Sequence, residues 1–516
     1  MFIGTPREDA MRRDLTINSL FYNIKTNEIE DLTGEGLQHI ELRLVATPLP
    51  PRVTLLDDPL RLLRAVRFAT RLGFAVTGDL LAAASDEDVR RALAEKVSRE
   101  RIGTEIDAII SAKPPLPGAA APHDVGIDPM KGPVRAMRLL RALGVFPMVL
   151  QEPRSLFCHV DSHQEGSENL APVSSASAAS RASLGVQSLE IAAALLDHPR
   201  HELLRHTLGV TSQAYGRLPS SGGSSASQGL LSDQEERRLV FYSCLLLPWA
   251  DLVCDRDELR AATKGKKPAA SPSKDGAAPE RTSPVVRYLL SESLKRKSRD
   301  ADRCVAVHDS AQRFAKLLAT PFSKGPQSAA ARRAEAGWAL RAAGPLWRAA
   351  LFVAIAQAAA GPANSSSNDD NDAKDACNME ALLEAANKGA PPAADALPIA
   401  VTREMQASAR FAALAKWMDE EGLLGATLSK HRVLAGRVAL PAWEMKPLLD
   451  GNAVCQVLPK LKPGPELRSI IDAIVEWQLG QRDVYAAVAE SQQGINEASS
   501  AALCAAFLRE RFPEYV

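Results

Sequence analysis

The stretch DDPLRLLRAVRFATRLGF, residues 57–74, has one economical way to bury its apolar side chains. Pro59 suits a first helical turn, Thr54 or Asp57 can cap it, and Gly73 can close the C-terminus, so a helix is expected over about 58–72. At roughly 100° per residue, Arg61, Arg64, Arg67 and Arg71 share one arc, while Leu62, Ala65, Val66, Ala69 and Leu72 take the opposite side. Such a helix packs one side on a core and carries a four-arginine stripe on the other. Asp58 and Arg61 are three apart, which lets a carboxylate acceptor and a planar multi-donor side chain point into one pocket. An Asp accepts from an exocyclic amine, and an Arg donates to a ring nitrogen or carbonyl. That combination fits the pairing edges of cytosine and adenine, not those of uracil or guanine. The other arginines can hold a triphosphate. The plainer alternative is a solvated basic face with an ordinary Asp–Arg pair.

Other clusters accompany this helix in a fixed order: Arg12-Arg13-Asp14 within RRDLTINSLFYN, then Glu30-Asp31-Leu32-Thr33-Gly34-Glu35-Gly36, then the helix itself, then SRERIGTEIDAII. The four together resemble the class II tRNA nucleotidyltransferases, the CCA-adding enzymes, with the related bacterial poly(A) polymerases. The resemblance implies that Asp14 contacts a ribose 2′-hydroxyl, that Arg12 and Arg13 contact the nucleotide, and that Asp58 with Arg61 forms the amino-acid template for CTP and ATP. Arg64 and Arg67 would face the incoming nucleotide. Glu100 and Arg101 would hold the neck helices around the site. The family's Glu-Asp-x-x-Arg template reads Asp57-Asp58-Pro59-Leu60-Arg61 here, which changes the leading acid and keeps both base-reading residues.

In the family, a glycine turn and two alternating aspartates that bind magnesium precede the Arg-Arg-Asp cluster, and the chain is expected to begin after them. No metal ligands are assigned within it, so Mg2+ belongs to the complete enzyme. Substitutes are poor: Asp255-Arg256-Asp257 lacks a preceding glycine turn, Asp86-Glu87-Asp88 opens a helix where acids favour the dipole, and Asp369-Asp370-Asn371-Asp372 lies in an Asn/Ser/Ala tract.

A 516-residue chain that is 46% hydrophobic can bury several cores, and its length suggests about three domains. With 62 basic and 62 acidic side chains, any RNA binding must rest on local basic faces. Seven cysteines without paired spacing read as reduced thiols in an intracellular compartment; cytoplasm, nucleus and organelle are not distinguished. No stretch reaches the ~20 apolar residues of a membrane span. The nearest, Ala349 to Ala360, is interrupted by Gln357 and reads as a buried helix.

The expected fold is mainly α: a partial α/β nucleotidyltransferase head followed by a helical neck, body and tail, with low-complexity insertions. The head takes residues 1–50, with a helix after Asp14 and short strands over 29–31 and 42–46. The neck takes 51–112 and a helical body 131–360, opened by a helix that Gly144 stops. Helices are expected around 186–206, 234–260, 284–320 and 330–360, separated by biased tracts at 162–185, 211–232 and 262–283. Residues 361–398 are a low-complexity linker and 399–516 a helical tail. In the tail, Pro463-Gly464-Pro465 starts a helix over about 466–478 that buries Leu467, Ile470, Ile471 and Ile474, and the segment 446–481 resembles the family's tRNA-gripping tail. Lys446, Lys460 and Lys462 are candidate phosphate contacts there, against plain surface lysines; Lys264, Lys266 and Lys267 read as linker. His201 and His206 are five apart and so miss the zinc-protease spacing. His198 with His201, and Cys158-His159 with His163, lack a second half-site.

The resemblance implies an enzyme that adds CCA to tRNA 3′ ends from CTP and ATP. Its partners would be tRNA and nucleoside triphosphates, with no membrane. Two alternatives stand beside it: a poly(A)-type polymerase using ATP alone, and a noncatalytic RNA-binding remnant. CTP incorporation separates the first two, and the third predicts tRNA binding without incorporation.

Overall fold

The computed structural model describes residues 4–112, 132–160, 169–173, 178–197, 233–256, 281–319, 326–360, 441–462, 464–481 and 497–516, with a few positions between 414 and 438. These fall into two compact units, one of residues 1–197, 234–305 and 360–400, the other of residues 198–233, 306–359 and 401–516.

In the first unit, α1, Pro6–Met11, opens on a capping box: the Thr5 hydroxyl accepts from Glu8 N–H at 3.2 Å, and Thr5 N–H donates to Glu8 Oε2 at 2.7 Å. The α-helix expected after Asp14 does not form. Thr16–Asn18 makes one 3-10 turn, and Leu20–Asn23 becomes β1, antiparallel to β2, Glu28–Asp31, with Leu20 opposite Asp31. Phe21 and Tyr22 favour a strand, and the Asn23 carboxamide oxygen accepts from Lys25 and Thr26 N–H at 2.9 and 3.3 Å, turning the chain back.

The Asp31 carboxylate organises the turn after β2, accepting from Thr33 N–H, Thr33 Oγ1, Gly34 N–H and Leu37 N–H at 3.2, 2.7, 3.0 and 3.0 Å, and thereby fixing the start of α2, Gly36–Glu41. Burial opposes this charge, but the hydrogen bonds outweigh it and hold Asp31 below the ordinary value of 3.8. Because the folded value lies below the unfolded one, the stabilisation is complete above the unfolded value and is lost as pH falls through the folded value. Acid titration monitored by hydrogen exchange should show the Gly34 and Leu37 amides losing protection in that window, and Asp31→Asn should weaken it at neutral pH. Protection indifferent to both changes would defeat this role.

β3, Leu44–Val45, is shorter than the expected strand. It is followed by α3, Pro51–Asp57, and α4, Leu60–Leu72. The helix expected from 58 thus starts two residues later. A residue before proline is pushed to extended backbone, and Asp58 sits at φ −135°, ψ 98°, breaking α3 from α4. Neither Thr54 nor Asp57 caps α4 through its side chain, since Pro59 occupies the cap. Leu62, Ala65, Val66 and Ala69 are buried as the pattern requires, Leu63 is buried beside them, and each large one is worth about 2 kcal/mol. Leu72, placed on that face by periodicity, is 43% exposed. Gly73 ends the helix at φ +72°, a left-handed conformation that glycine adopts freely. The chain then returns as β4, Ala75–Val76, parallel to β3. α5, Gly78–Ala84, α6, Glu87–Lys96, and α7, Arg99–Ile110, complete the neck, with α7 packed along α4.

α8, Pro133–Ala142, ends before Gly144 at φ +66°, as expected, and α9, Phe146–Val149, comes next. The unit then departs from an all-helical body. β5, Phe157–Val160, β6, Asn169–Pro172, β7, Leu252–Asp255, and β8, Thr282–Pro284, form an antiparallel sheet in the order β6-β5-β7-β8. The helix expected over 234–260 stops at Leu245, because Leu247–Trp249 holds Pro248 in a 3-10 turn and Leu252–Asp255 joins the sheet. The tract 162–185, read as an insertion, contributes β6 and the start of α10, Ala178–Asp197.

In the second unit, helices Pro326–Ala343 and Pro465–Gly480 pack so closely that a Cβ on Gly337 would lie 2.6 Å from Leu479. The latter helix buries Ile470 and Ile474 as expected, while Leu467 and Ile471 are half-buried and Val475, Gln478 and Leu479 take the deep positions. Leu449, Val454, Leu458, Leu461, Ile470, Ile474, Cys504 and Leu508 form a small core, with Trp477 stacked on Phe507 at 5.3 Å. Ala329–Ala359 revises the expectation about span length: it is long and apolar enough to cross a membrane, but 72% of its apolar window is buried inside the protein, as in a core helix. The six cysteines among the described residues are free thiols.

Candidate functional site

The helix–break–helix of α3 and α4 and the end of α1 meet at an open cleft of about 350 Å³ lined by Asp9, Arg12, Arg13, Asp14, Asp58, Arg61 and Arg64. Arg12 and Arg13 lie three and four residues after Asp9, and its carboxylate takes both: Arg12 Nε at 2.7 Å and Arg13 Nη2 at 3.0 Å. The hydrogen bonds from Arg13, then Arg12, hold Asp9 below the usual carboxylate range. Arg13 also donates to the Asn18 carbonyl at 2.8 Å and stacks over Phe21 at 4.6 Å. Asp14 is 8% exposed; its Oδ1 accepts from Leu15 N–H at 2.9 Å and Asn18 Nδ2 at 3.2 Å, and its Oδ2 from Arg64 Nε at 2.7 Å.

Asp58 and Arg61 line the same cleft through different supports. The Asp58 Oδ1 accepts from Leu60 N–H at 3.3 Å and its Oδ2 from Arg101 Nη2 at 2.8 Å. Arg61 donates Nη2 to the Arg12 carbonyl at 2.7 Å and approaches Asp57 at 3.4 Å. Each retains hydrogen-bonding capacity, since a carboxylate offers about four acceptor sites and a guanidinium five donors.

Arg67 is placed elsewhere. Its Nε lies 2.6 Å from Glu105 Oε2 on α7, its guanidinium covers Phe68 at 4.4 Å, and it does not line the cleft. Glu100 is exposed in the first turn of α7, its charge favoured by the helix-start N–H groups, its own first among them. Lys446, Lys460 and Lys462 are exposed in the second unit.

Three working residues escaped the sequence reading. Asp9 was visible as an acid one turn before two arginines. Glu105 was not, because its partners lie 38 and 41 positions away (105 − 67 and 105 − 64). Arg99 was hidden in a polar run. It is half-buried and donates to the carbonyls of Met148 at 2.5 Å, Ser293 at 2.7 Å and Val149, and to Ser293 Oγ at 2.9 Å. Burial lowers its pKa to about 10, so it stays charged at neutral pH.

Magnesium does not fit the described residues of the cleft. No group of three or more His, Cys, Asp or Glu among the described residues could hold a metal. The cleft carboxylates of Asp9, Asp14 and Asp58 each face a guanidinium. Asp86 caps α6 and shares Arg52 with Asp88, at 2.8 and 2.7 Å, while Asp255 closes β7. Asp257, residues 369–372, His163, His198, His201, His206 and Lys264, Lys266 and Lys267 lie outside the described residues.

The sequence profile of the Poly A polymerase head domain matches residues 2–46. The mitochondrial CCA tRNA nucleotidyltransferase of Saccharomyces cerevisiae is 48% identical over 113 residues, 22% of this chain and 21% of that protein. Poly(A) polymerase I of Escherichia coli is 39% identical over 74 residues, 14% of this chain and 16% of that one. A solved CCA-adding enzyme of Bacillus stearothermophilus in complex with CTP is similar at 18% identity and a TM-score of 0.38, covering 97% of this chain and 77% of that one. The chain spans about a fifth of the length of the curated CCA-adding relatives it matches. The head-domain segment and these matched stretches are thus similar to CCA-adding enzymes and poly(A) polymerases.

Proposed function

We propose that the cleft reads incoming nucleotides for addition of CCA to tRNA 3′ ends, and that the chain works as a tRNA nucleotidyltransferase using CTP and ATP. The observation that carries the reading is the placement of Asp58 and Arg61 in one cleft with Asp14 and Arg64. Asp58, held at both oxygens, accepts from the exocyclic amine that cytosine and adenine share, while Arg61 donates to the adjacent ring acceptor. Uracil and guanine present a carbonyl where Asp58 needs a donor. Asp14 offers its remaining lone pair to the ribose 2′-hydroxyl, and Arg12, Arg13 and Arg64 counter triphosphate charge. In the reaction the tRNA 3′-hydroxyl attacks the α-phosphate and pyrophosphate leaves. No part of that transfer is assigned to the described residues, which select and orient.

Arg67 serves this site through Glu105 of α7, and Glu100 and Arg101 from the start of α7, where Arg101 steadies Asp58 directly. Lys446, Lys460 and Lys462 fit contacts to tRNA phosphates, each removing about one unit from the salt dependence of binding. Free thiols and relatives named as mitochondrial suit an intracellular setting, organelles included.

Equilibrium binding of the four nucleoside triphosphates tests the reading. Wild type should prefer CTP and ATP to UTP and GTP, and Asp58→Ala should cut that preference by roughly 10- to 100-fold, the scale of a base-discriminating contact. Selectivity that survives Asp58→Ala would remove Asp58 from the reader. Preference for ATP over CTP in wild type would favour a poly(A)-type enzyme, as the match to the Escherichia coli polymerase allows.

A further inference from the structure

We propose that Glu105 is a positioning residue that decides which arginine of α4 reaches Asp14, and through that choice sets the preference for ribose over deoxyribose. The inference rests on the reading of Asp14 as the sugar contact.

Arg64 and Arg67 are one helical turn apart, so both guanidiniums leave α4 on the same side, with Phe68 within 5.7 and 4.4 Å of them. Glu105 faces them from α7 and is 7% exposed. Its Oε2 takes Arg67 Nε at 2.6 Å, while its Oε1 stands 3.6 Å from Arg64 Nη1. Arg64 is thereby left to Asp14, with Nε on Oδ2 at 2.7 Å. The Asp14 Oδ1 is already bonded twice, so the acceptor capacity open to an incoming group is the second lone pair of Oδ2. A sugar hydroxyl can donate there; a hydrogen at C2′ cannot.

A half-buried guanidinium without its anion is costly and seeks another. With Glu105 neutralised, the carboxylate at hand is Asp14, held by Arg64 one helical turn from Arg67. Arg67 turning to Asp14 would fill its last lone pair and leave nothing for the 2′-hydroxyl. Glu105 therefore acts on the sugar without touching it, by keeping a second arginine off Asp14.

The experiment compares binding of CTP and dCTP to the full chain, with phenylglyoxal labelling of Arg67 read by mass spectrometry. Wild type should prefer CTP about tenfold, the scale of one hydrogen bond to a charged acceptor, with Arg67 protected from reagent. Glu105→Gln should bring the two affinities to within about twofold and make Arg67 reactive. Adding Arg67→Met to Glu105→Gln should restore the preference, because the competing cation is gone. The double variant removes both members of the pair and leaves no unpaired buried charge, so it also serves if Glu105→Gln melts below the assay temperature. A folded Glu105→Gln with unchanged sugar preference, or a double variant that fails to recover it, overturns the role of Glu105 alone. Wild type that binds CTP without regard to the sugar overturns the Asp14 contact and this inference with it.

Discussion

Gly103→Ala should destabilise the first unit by about 3–5 kcal/mol, lowering its melting midpoint by on the order of 10 °C. Gly103 lies in the middle of α7, and a Cβ built there stands 1.7 Å from the Leu294 carbonyl oxygen and 2.6 Å from its carbon. The obstacle is backbone, so no rotamer change relieves it. Either α7 moves away from the 289–294 segment or that segment deforms, and both expose the apolar contacts beneath. Thermal denaturation of the purified variant checks this directly. A midpoint equal to wild type would mean that the two backbones are not in contact at this point.

Arg99→Ala should destabilise the same unit by about 3 kcal/mol, by leaving acceptors behind and not by steric pressure. The carbonyls of Met148, Val149 and Ser293 and the Ser293 hydroxyl all take Arg99 N–H groups. Arg99→Lys keeps the charge, but an ammonium lacks the planar fork that spans several carbonyls at once, so it should recover only part of the loss. Denaturant titration of the three proteins gives the ranking. A lysine variant as stable as wild type would show that charge, and not the fork, is what the site needs. Arg99 and Gly103 are one turn apart and grip the same segment, so their combined variant should lose less than the two losses added together.

These two positions illustrate what could and could not be read from the chain. In SRERIGTEIDAII the isoleucines announce a buried helix stripe, and α7 forms there with Ile102, Ile106, Ile109 and Ile110 in the core. The polar residues sort into two opposed faces, Arg99 with Gly103 toward the 289–294 segment and Arg101 with Glu105 toward Asp58 and the arginines of α4. Helical spacing gives the pairs, but nothing local says which partner each pair meets. The same limit separates Arg64 from Arg67: the stripe was legible, while the diversion of one member by Glu105 depends on a contact across 38 positions. The break at Asp58 is written in Pro59, against the longer helix that periodicity suggests. The head hairpin was half legible, β2 without β1, because Asn23 acts through backbone hydrogen bonds that leave no periodic signal. The four-stranded sheet was not legible at all. Its strands are three or four residues long, and β5 pairs with a strand that lies about a hundred positions further on, so no window of sequence contains both partners.

The parallel pairing of Leu44 with Ala75 and Val45 with Val76 makes a closed ring of the chain between them. Asp58 and Arg61 ride on that ring, and Asp14, whose neighbour Thr16 donates its N–H to the Ala46 carbonyl at 3.0 Å, sits where it is fastened. Closing a loop of this size costs entropy that grows only slowly with length, so a longer ring would close almost as readily. What an added residue would change is phase. Inserted within α3, between 51 and 57, it would turn Asp58 around the helix axis by roughly 100° relative to the start of that helix. Such a chain would fold with the proposed base reader turned away from the proposed sugar contact. The gauge of this site is therefore a count of residues, and length changes belong outside the ring.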